Sequence, residues 1–305
     1  MTASLSLLLE RILDYAGLFP PAALDMNGAV AEYERHLAED RVGMLASFVC
    51  PASRLEELAR ATTGRGWKLS ILATNAESPS EAMDRLTRDV SRIDAFLDAN
   101  PGFTMSAFEL RVPSVFLENA AGLGDFVQSV ETTLSRSRHP AQKTFYELGW
   151  TTNWPLALGV LARGNAFRGA KIRTGGLEAS AFPTPLQVAE FMAVARDARV
   201  AWKATAGLHH PVRKFRSEVG TKMHGFLNVF LGAALALENS DVTELVRLLH
   251  EEDEGAFRFS DAGATWGDHV LDRGLISRTR AEFALSFGSC SYREPIEDLK
   301  ALGLL

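Results

Sequence analysis

Eight short runs rich in Val, Ile, Phe and Leu alternate along this chain with segments whose apolar residues recur at helical spacing. Strands that alternate with helices are typical of βαβ units, and eight such units predict an α/β protein whose parallel sheet closes into a (β/α)8 TIM barrel. An open doubly wound sheet is the alternative, but no GxGxxG turn follows the first run. The predicted strands are 12–19, 42–49, 67–74, 104–112, 142–148, 167–173, 200–205 and 283–287.

The intervening segments predict amphipathic helices, and one connection is unusually long. Predicted strands seven and eight are separated by roughly 75 residues, where about 30 suffice for a plain βαβ crossover. We therefore predict one barrel domain over residues 1–305, with an insertion at about 238–282 that covers the barrel mouth or joins subunits of a homo-oligomer. The predicted helices include 28–37, 53–61, 80–99, 120–134, 185–196 and 292–302.

The composition points to a small-molecule partner. The chain carries 32 Lys and Arg against 38 Asp and Glu, and a net charge of −6 disfavours nucleic acid. Cys50 and Cys290 are the only cysteines, too few for a disulfide framework, so a reducing cytoplasm is expected. Glu10 interrupts the apolar N-terminal run, and no run is long enough for a bilayer, so neither a signal peptide nor a membrane span is expected.

Several charged residues are predicted to point into the barrel. Side chains alternate across a strand, so if Phe108 and Leu110 face the helices, Glu109 and Arg111 face the interior. The same test turns five further residues inward: Asp14, Glu147, Lys171, Arg173 and Lys203. All lie near the carboxyl ends of their strands, where barrel enzymes place active sites. Buried ions cost several kcal/mol unless they are paired, so a structural salt-bridge network is the other interpretation.

The two lysines favour an active site over a structural salt-bridge network. Like charges on adjacent strands repel, and that repulsion lowers the pKa of an amine, as a nucleophilic lysine requires. We expect Lys171 to form a Schiff base with a small carbonyl compound and Lys203 to lower the pKa of Lys171, while Glu109 and Asp14 relay protons. This is the pattern of a lyase that makes or breaks a C–C bond, and neither a cofactor nor a metal is expected.

The motifs around these residues resemble the deoxyribose-phosphate aldolase family of class I aldolases. KIRTGG (171–176) resembles the K-T-S-T-G run on that family's sixth strand, and KATAG (203–207) resembles the K-x-x-G-G run on the seventh. Weaker similarity covers LDYAGLFPPA, ASFVCPA, ELRVP, YELG and SFGSCS. The resemblance implies a (β/α)8 barrel with Schiff-base chemistry at Lys171. Tyr15, Glu109, Arg173 and the residues after Gly207 depart from the pattern, which implies a distant relative with a different substrate range.

The remaining candidates are assigned to substrate binding. An anionic substrate group is expected at 207–213 and at the helix start 288–291, where cationic side chains meet free backbone donors. Thr174 and the glycines after it are expected to let substrate approach closely. The candidates are Glu147, Arg111, Arg173, Thr174, Gly175, Gly176, Gly207, His209, His210, Arg213, Gly288 and Ser289.

Two other functions are kept open. One is a metal-assisted lyase or hydrolase on the same barrel, whose ligands would be His209, His210 and His224 with Glu109 or Glu147. The other is a non-catalytic binding barrel, which requires lysines that are fully ion-paired with no pocket between them.

Overall fold

The computed structural model describes residues 1–76, 78–117, 120–151, 153–164, 167–238 and 240–305. The strands are β1 (Leu13–Tyr15), β2 (Leu45–Pro51), β3 (Trp67–Leu72), β4 (Phe103–Arg111), β5 (Lys143–Leu148), β6 (Arg168–Arg173), β7 (Ala201–Thr205), β8 (Lys214–Arg216), β9 (Thr221–Met223), β10 (Arg258–Phe259), β11 (Gly263–Trp266), β12 (His269–Asp272) and β13 (Ala284–Ser289). The helices are α1 (Ala3–Leu9), α2 (Met26–Glu39), α3 (Leu55–Ala61), α4 (Pro79–Ala99), α5 (Ala120–Leu134), α6 (Trp154–Ala162), α7 (Pro185–Asp197), α8 (Phe226–Leu237), α9 (Val242–His250), α10 (Arg273–Arg278) and α11 (Arg293–Ala301).

Within these residues, β1 to β7 pair in sequence order, and β13 joins β7 back to β1, so eight parallel strands close a barrel. The predicted (β/α)8 fold is confirmed. The six predicted helices are present with slightly different ends. Two of them begin at side-chain caps, because Asp25 accepts from Gly28 N–H, and Thr184 and Gln187 form a reciprocal capping box.

The first strand is shorter than predicted, since β1 ends at Tyr15 rather than at residue 19. Pro20 and Pro21 lack the N–H that a sheet ladder needs. The chain instead folds back on itself, with Phe19 N–H donating to the Ala16 carbonyl and Leu24 N–H donating to the Gly17 carbonyl. This turn lies at the carboxyl end of β1, so it forms part of the barrel mouth.

Aromatic residues that point away from the barrel axis hold the helices against the strands. Trp202 of β7 stacks on Phe230 of α8 and meets Phe191 of α7 edge-on, with ring centroids 6.1 and 5.6 Å apart. Tyr15 of β1 similarly stacks on Tyr33 of α2 at 5.8 Å. Since these apolar faces are turned outward, the residues that alternate with them on each strand occupy the barrel interior.

The chain between β7 and β13 contains more than one crossover helix. It forms the β8–β9 hairpin, then α8 and α9, a three-stranded antiparallel sheet of β10, β11 and β12, and α10. Helix α8 is apolar on every side because it is buried between the barrel and α9. Asn228 within it donates to the carbonyls of Leu248 and Glu251, which fixes α9 over α8. Among the described residues, no helix combines the length and apolar composition needed to cross a membrane.

Arg280 joins the first helix to the last barrel strand. It lies in a π-helix at Thr279–Phe283, and its guanidinium is over the Phe230 ring, 5.1 Å from the centroid. The same group donates to the carbonyls of Leu8 and Glu10 at the end of α1, and to those of Ala284 and Leu285 at the start of β13. One side chain therefore satisfies four backbone acceptors that helix and sheet leave free.

We predict that Arg280→Met lowers the free energy of unfolding by about 2–4 kcal/mol, because carbonyls that are mostly partly buried lose charged donors that a methionine cannot replace. Urea denaturation followed by circular dichroism measures the change. Arg278→Met, on the exposed side of α10, is the matched control and should change it by less than about 0.5 kcal/mol. Equal losses in the two variants would contradict a joining role for Arg280.

Candidate active site

A row of charged residues crosses four neighbouring strands near their carboxyl ends. Arg111 of β4 is the register partner of Glu147 of β5, Glu147 that of Lys171 of β6, and Lys171 that of Lys203 of β7. Register partners in a sheet point to the same face, so parallel pairing alone brings these side chains together.

Glu109 bridges the two lysines inside the barrel. Its Oε2 lies 2.6 Å from Lys171 Nζ, and its Oε1 lies 2.6 Å from Lys203 Nζ. Each lysine has a second carboxylate as well: Glu147 Oε2 lies 2.9 Å from Lys171 Nζ, and Asp14 Oδ2 lies 2.6 Å from Lys203 Nζ. The structure thus unites five of the predicted residues in one buried network.

Three residues that the sequence analysis did not name support this network. Ser70 of β3 donates a short hydrogen bond to Glu109, and Ser286 of β13 donates to Asp14 at 2.7 Å. Lys203 Nζ also lies 5.5 Å from the centroid of the Phe145 ring. Both serines are polar positions within apolar strands, so the alternation test could have found them.

The charge state of the network differs from the sequence-based expectation. Burial favours a neutral amine, but Glu109 and Glu147 outweigh both burial and the charge of Lys203, so the pKa of Lys171 is raised rather than lowered. The pKa of Lys203 is raised for the same reason, by Asp14 and Glu109. Burial disfavours the charged form of Glu109 too, yet the two lysines hold its pKa far below its ordinary value. Lys203 is therefore not sufficient to neutralise Lys171.

A cavity of about 510 Å³ lies over the network at the carboxyl ends of the strands. Lys171, Lys203, Glu109 and Glu147 line it from below, so both lysines border space that a small molecule can fill. Sites of this size, with a few polar groups converging on one point, are typical of small-molecule binding. Each lysine is ion-paired with two carboxylates, as the non-catalytic alternative requires, but both also face a pocket, so only one of the two conditions for that alternative is met.

Two arginines lie on one side of the cavity. The side chain of Arg173 is 51% exposed, and its Nη1 is 3.6 Å from Glu147 Oε1, too long for a hydrogen bond. Arg111 is exposed, and its side chain forms neither a hydrogen bond nor an ion pair with another described residue. After β7, the turn of the β8–β9 hairpin adds Glu218 and Val219 to the cavity wall. The described part of 238–282 contributes no residue to this wall.

The glycines after Lys171 and Lys203 mainly let two loops pack together. A Cβ on Gly175 would lie 2.7 Å from Gly207 Cα, and Gly207 has a φ of +74° that favours glycine. Thr174 donates to the carbonyl of Ala206, which ties the same loops. Gly176 and Gly207 line the cavity, whereas Thr174 and Gly175 are absent from the lining within the described chain. Thr174 and Gly175 thus contribute to loop packing, and their role in admitting substrate stays a prediction.

The anion site expected at 207–213 is not assembled in this structure. His209 Nδ1 lies 2.8 Å from Glu294 of α11, and His210 Nδ1 lies 2.6 Å from Asp298. Burial lowers the pKa of His210 despite this carboxylate. Arg213 is buried 3.5 Å from His224 Nδ1, outside the cavity wall formed by the described residues. The two histidines line the cavity wall, but each already binds a carboxylate of the protein through Nδ1.

Only some residues of the predicted helix start at 288–291 line the cavity. Gly288 and Cys290 line the cavity. Ser289 is buried, and its hydroxyl donates to the Ser291 carbonyl at 2.8 Å. The hydroxyl therefore serves the turn before α11.

The metal ligands considered in the sequence do not converge. His224 Nε2 donates to the Pro183 carbonyl at 2.7 Å, and burial lowers its pKa to about 4. His209 and His210 are each held by a residue of α11. Within the ranges that the structure describes, no group of three or more His, Cys, Asp or Glu side chains could hold a metal ion.

Compared with protein-family models and with curated proteins, this chain matches neither a family model nor a curated sequence at significant similarity. The resemblance to class I aldolases rests on the motifs of the sequence alone.

We predict that Glu109→Gln lowers the free energy of unfolding at pH 7 by about 3–5 kcal/mol, because two buried lysines lose the charge between them. The folded pKa of Glu109 lies below the ordinary 4.5, so its stabilising effect is complete above about pH 4.5 and is lost as the pH falls below it. Urea denaturation from pH 7 to pH 3 measures the difference between wild type and variant, which should shrink on acidification.

Glu57→Gln provides the matched control. Glu57 forms an exposed pair with Arg54 on the protein surface, so its loss should cost less than about 1 kcal/mol. A difference for Glu109→Gln that stays constant from pH 7 to pH 3 would show that the ionised carboxylate is not what stabilises the fold.

Proposed function

We propose that this barrel is a lyase that binds a small carbonyl compound as a Schiff base on Lys171. The observation that carries the proposal is the pair of lysine amines, buried in register on adjacent strands, bridged by one carboxylate and open to a cavity of about 510 Å³. Structural ion pairs need no such cavity, whereas covalent catalysis needs a nucleophile that substrate can reach.

Lys171 is a better nucleophile candidate than Lys203. Lys203 is 2% exposed and is held by Asp14 and Glu109, each of which a serine also supports. Lys171 shares Glu109, but its second partner, Glu147, borders the cavity and is held only loosely by Arg173. Lys171 can therefore pass its proton to Glu147, and so lose that ion pair, without breaking the deeper part of the network.

The residues provide a balanced route to the Schiff base. Lys171 passes a proton to Glu147 and attacks the carbonyl carbon as a neutral amine. The resulting carbinolamine takes a proton from Glu147 and loses water, which leaves an iminium cation on Lys171. Glu147, ionised again, takes the proton of a hydroxyl on the β carbon of the substrate. The bond between the α and β carbons then breaks, its electron pair moves into the iminium, and an aldehyde leaves an enamine on Lys171. The charges of Glu109 and Lys203 do not change during these steps.

We predict that borohydride treatment with a panel of aldehydes and 2-oxo acids adds a stable mass to the wild-type protein at Lys171, located by peptide mass spectrometry. Lys171→Met should abolish the adduct. Since Lys171→Met alone leaves three carboxylates against one lysine, the charge-balanced variant Lys171→Met/Glu147→Gln should be tested as well. Circular dichroism confirms that each variant is folded.

Two results would overturn the proposal. One is the absence of an adduct on the folded wild-type protein with every carbonyl in the panel. The other is an adduct in Lys171→Met/Glu147→Gln that maps to Lys203, which would assign the nucleophile to β7.

A second prediction concerns the pH dependence of trapping, which follows the pKa of Lys171. Glu147 raises this pKa and Lys203 lowers it. Glu147→Gln should therefore move the pH optimum for trapping down, and the charge-balanced Lys203→Met/Asp14→Asn should move it up. Rates of adduct formation between pH 6 and pH 10 measure both shifts. Shifts in the same direction would contradict electrostatic control of Lys171 by these two residues.

A further inference from the structure

We infer that the substrate carries a negative group next to its carbonyl, as a 2-oxo carboxylate does, and that Arg111 and Arg173 bind this group. The inference rests on the proposed Schiff base at Lys171 and names the class of compound that forms it. It places the anion on the β4–β6 side of the mouth, not at the 207–213 and 288–291 loops expected from the sequence.

The two arginine cations are available to an anionic group of the substrate. Arg111 and Arg173 line the same cavity as Lys171, and both side chains are exposed. Arg173 has one carboxylate near it, Glu147 at 3.6 Å, and Arg111 has no ionic or hydrogen-bonded partner among the described residues. Guanidinium groups with free N–H donors are the groups that proteins use to bind carboxylate and phosphate.

The part of the mouth that follows β7 and β13 disfavours an anion. Glu218 on the β8–β9 hairpin and Glu294 of α11 both line the cavity there. The nearest potential donors, His209 and His210, already bind Glu294 and Asp298. An anionic group would be repelled on this side and attracted on the arginine side, so the charge across the mouth orients the substrate.

The space between Lys171 and Arg173 limits the distance between the anion and the carbonyl. One carboxylate, that of Glu147, spans this space, 2.9 Å from the amine and 3.6 Å from the guanidinium. A substrate carboxylate bonded to the carbonyl carbon would lie beside the imine nitrogen, within the same short distance of Arg173. A phosphate at the far end of a sugar chain would be several carbons away. The arrangement therefore favours a short 2-oxo acid over a sugar phosphate.

The experiment compares pyruvate with pyruvamide, which has the same size and carbonyl position but no charge. The concentration that gives half-maximal borohydride trapping is measured for wild type, Arg111→Gln and Arg173→Gln. Each variant should raise this concentration by about 10-fold for pyruvate and leave it unchanged for pyruvamide. Because each variant is compared with wild type for one compound at a time, the different reactivity of the two carbonyls cancels. Lys214→Gln removes an exposed cation paired with Glu254 and should change neither value.

The outcomes separate this inference from the proposed function. If pyruvamide and pyruvate are both trapped on Lys171 but the arginine variants shift neither value, or shift both equally, the anion site is wrong while the Schiff base stands. If the variants impair trapping of glyceraldehyde 3-phosphate but not of pyruvate, the anion is a distant phosphate and the 2-oxo acid class is wrong. If no carbonyl is trapped on wild-type Lys171, the proposed function itself fails.

Discussion

The carboxylate of Glu109, shared between Lys171 and Lys203, is the contact on which the interior of this barrel depends. Two ammonium groups on adjacent strands would repel each other strongly at low dielectric, and each would lose its hydration on burial. Glu109 satisfies both with one oxygen each, at 2.6 Å. This is possible only because β4 faces β6 and β7 across the interior of a closed barrel. The same closure brings Asp14 to Lys203, 189 residues away along the chain.

Much of this interior follows from a single rule, the alternation of side chains along a strand. In β4, β5, β6 and β7 the apolar residues that alternate with the charges pack against helices, so Glu109, Glu147, Lys171 and Lys203 could be assigned to the interior from sequence. The rule requires an unbroken register, which holds from β4 to β7. The rule tells only whether a side chain points into the barrel, however, and does not give the distance between two charged groups. The bridge at Glu109 depends on how far each side chain reaches, and that bridge reverses the expected pKa shift of Lys171.

The parts of the site that lie on loops could not be read in this way. His209 and His210 are held by Glu294 and Asp298, more than eighty residues further along the chain. Nothing in the local sequence around the histidines indicates that partnership. Arg213 is likewise buried against His224 by the packing of the β8–β9 hairpin and α8, whereas local sequence suggests a free cation near the mouth. Strand periodicity constrains residues within a barrel, but loops are placed by tertiary contacts.

The carboxylates around Lys171 raise its pKa, and this affects both the attack on a carbonyl and the cation that follows. A raised pKa makes Lys171 a poor nucleophile in the absence of substrate, and this looks unfavourable for a Schiff-base enzyme. In the proposed reaction, the iminium on Lys171 is also a cation, at nearly the position of the ammonium it would replace. Glu109 and Glu147, which raise the pKa of the ammonium, therefore stabilise the iminium and the cationic transition states that lead to it. A site with a lowered lysine pKa would speed the attack but would hold the cationic intermediate less well. Under the proposed function, the charges around Lys171 favour the intermediate, and Glu147, the carboxylate at the edge of the cavity, would remove the proton before attack.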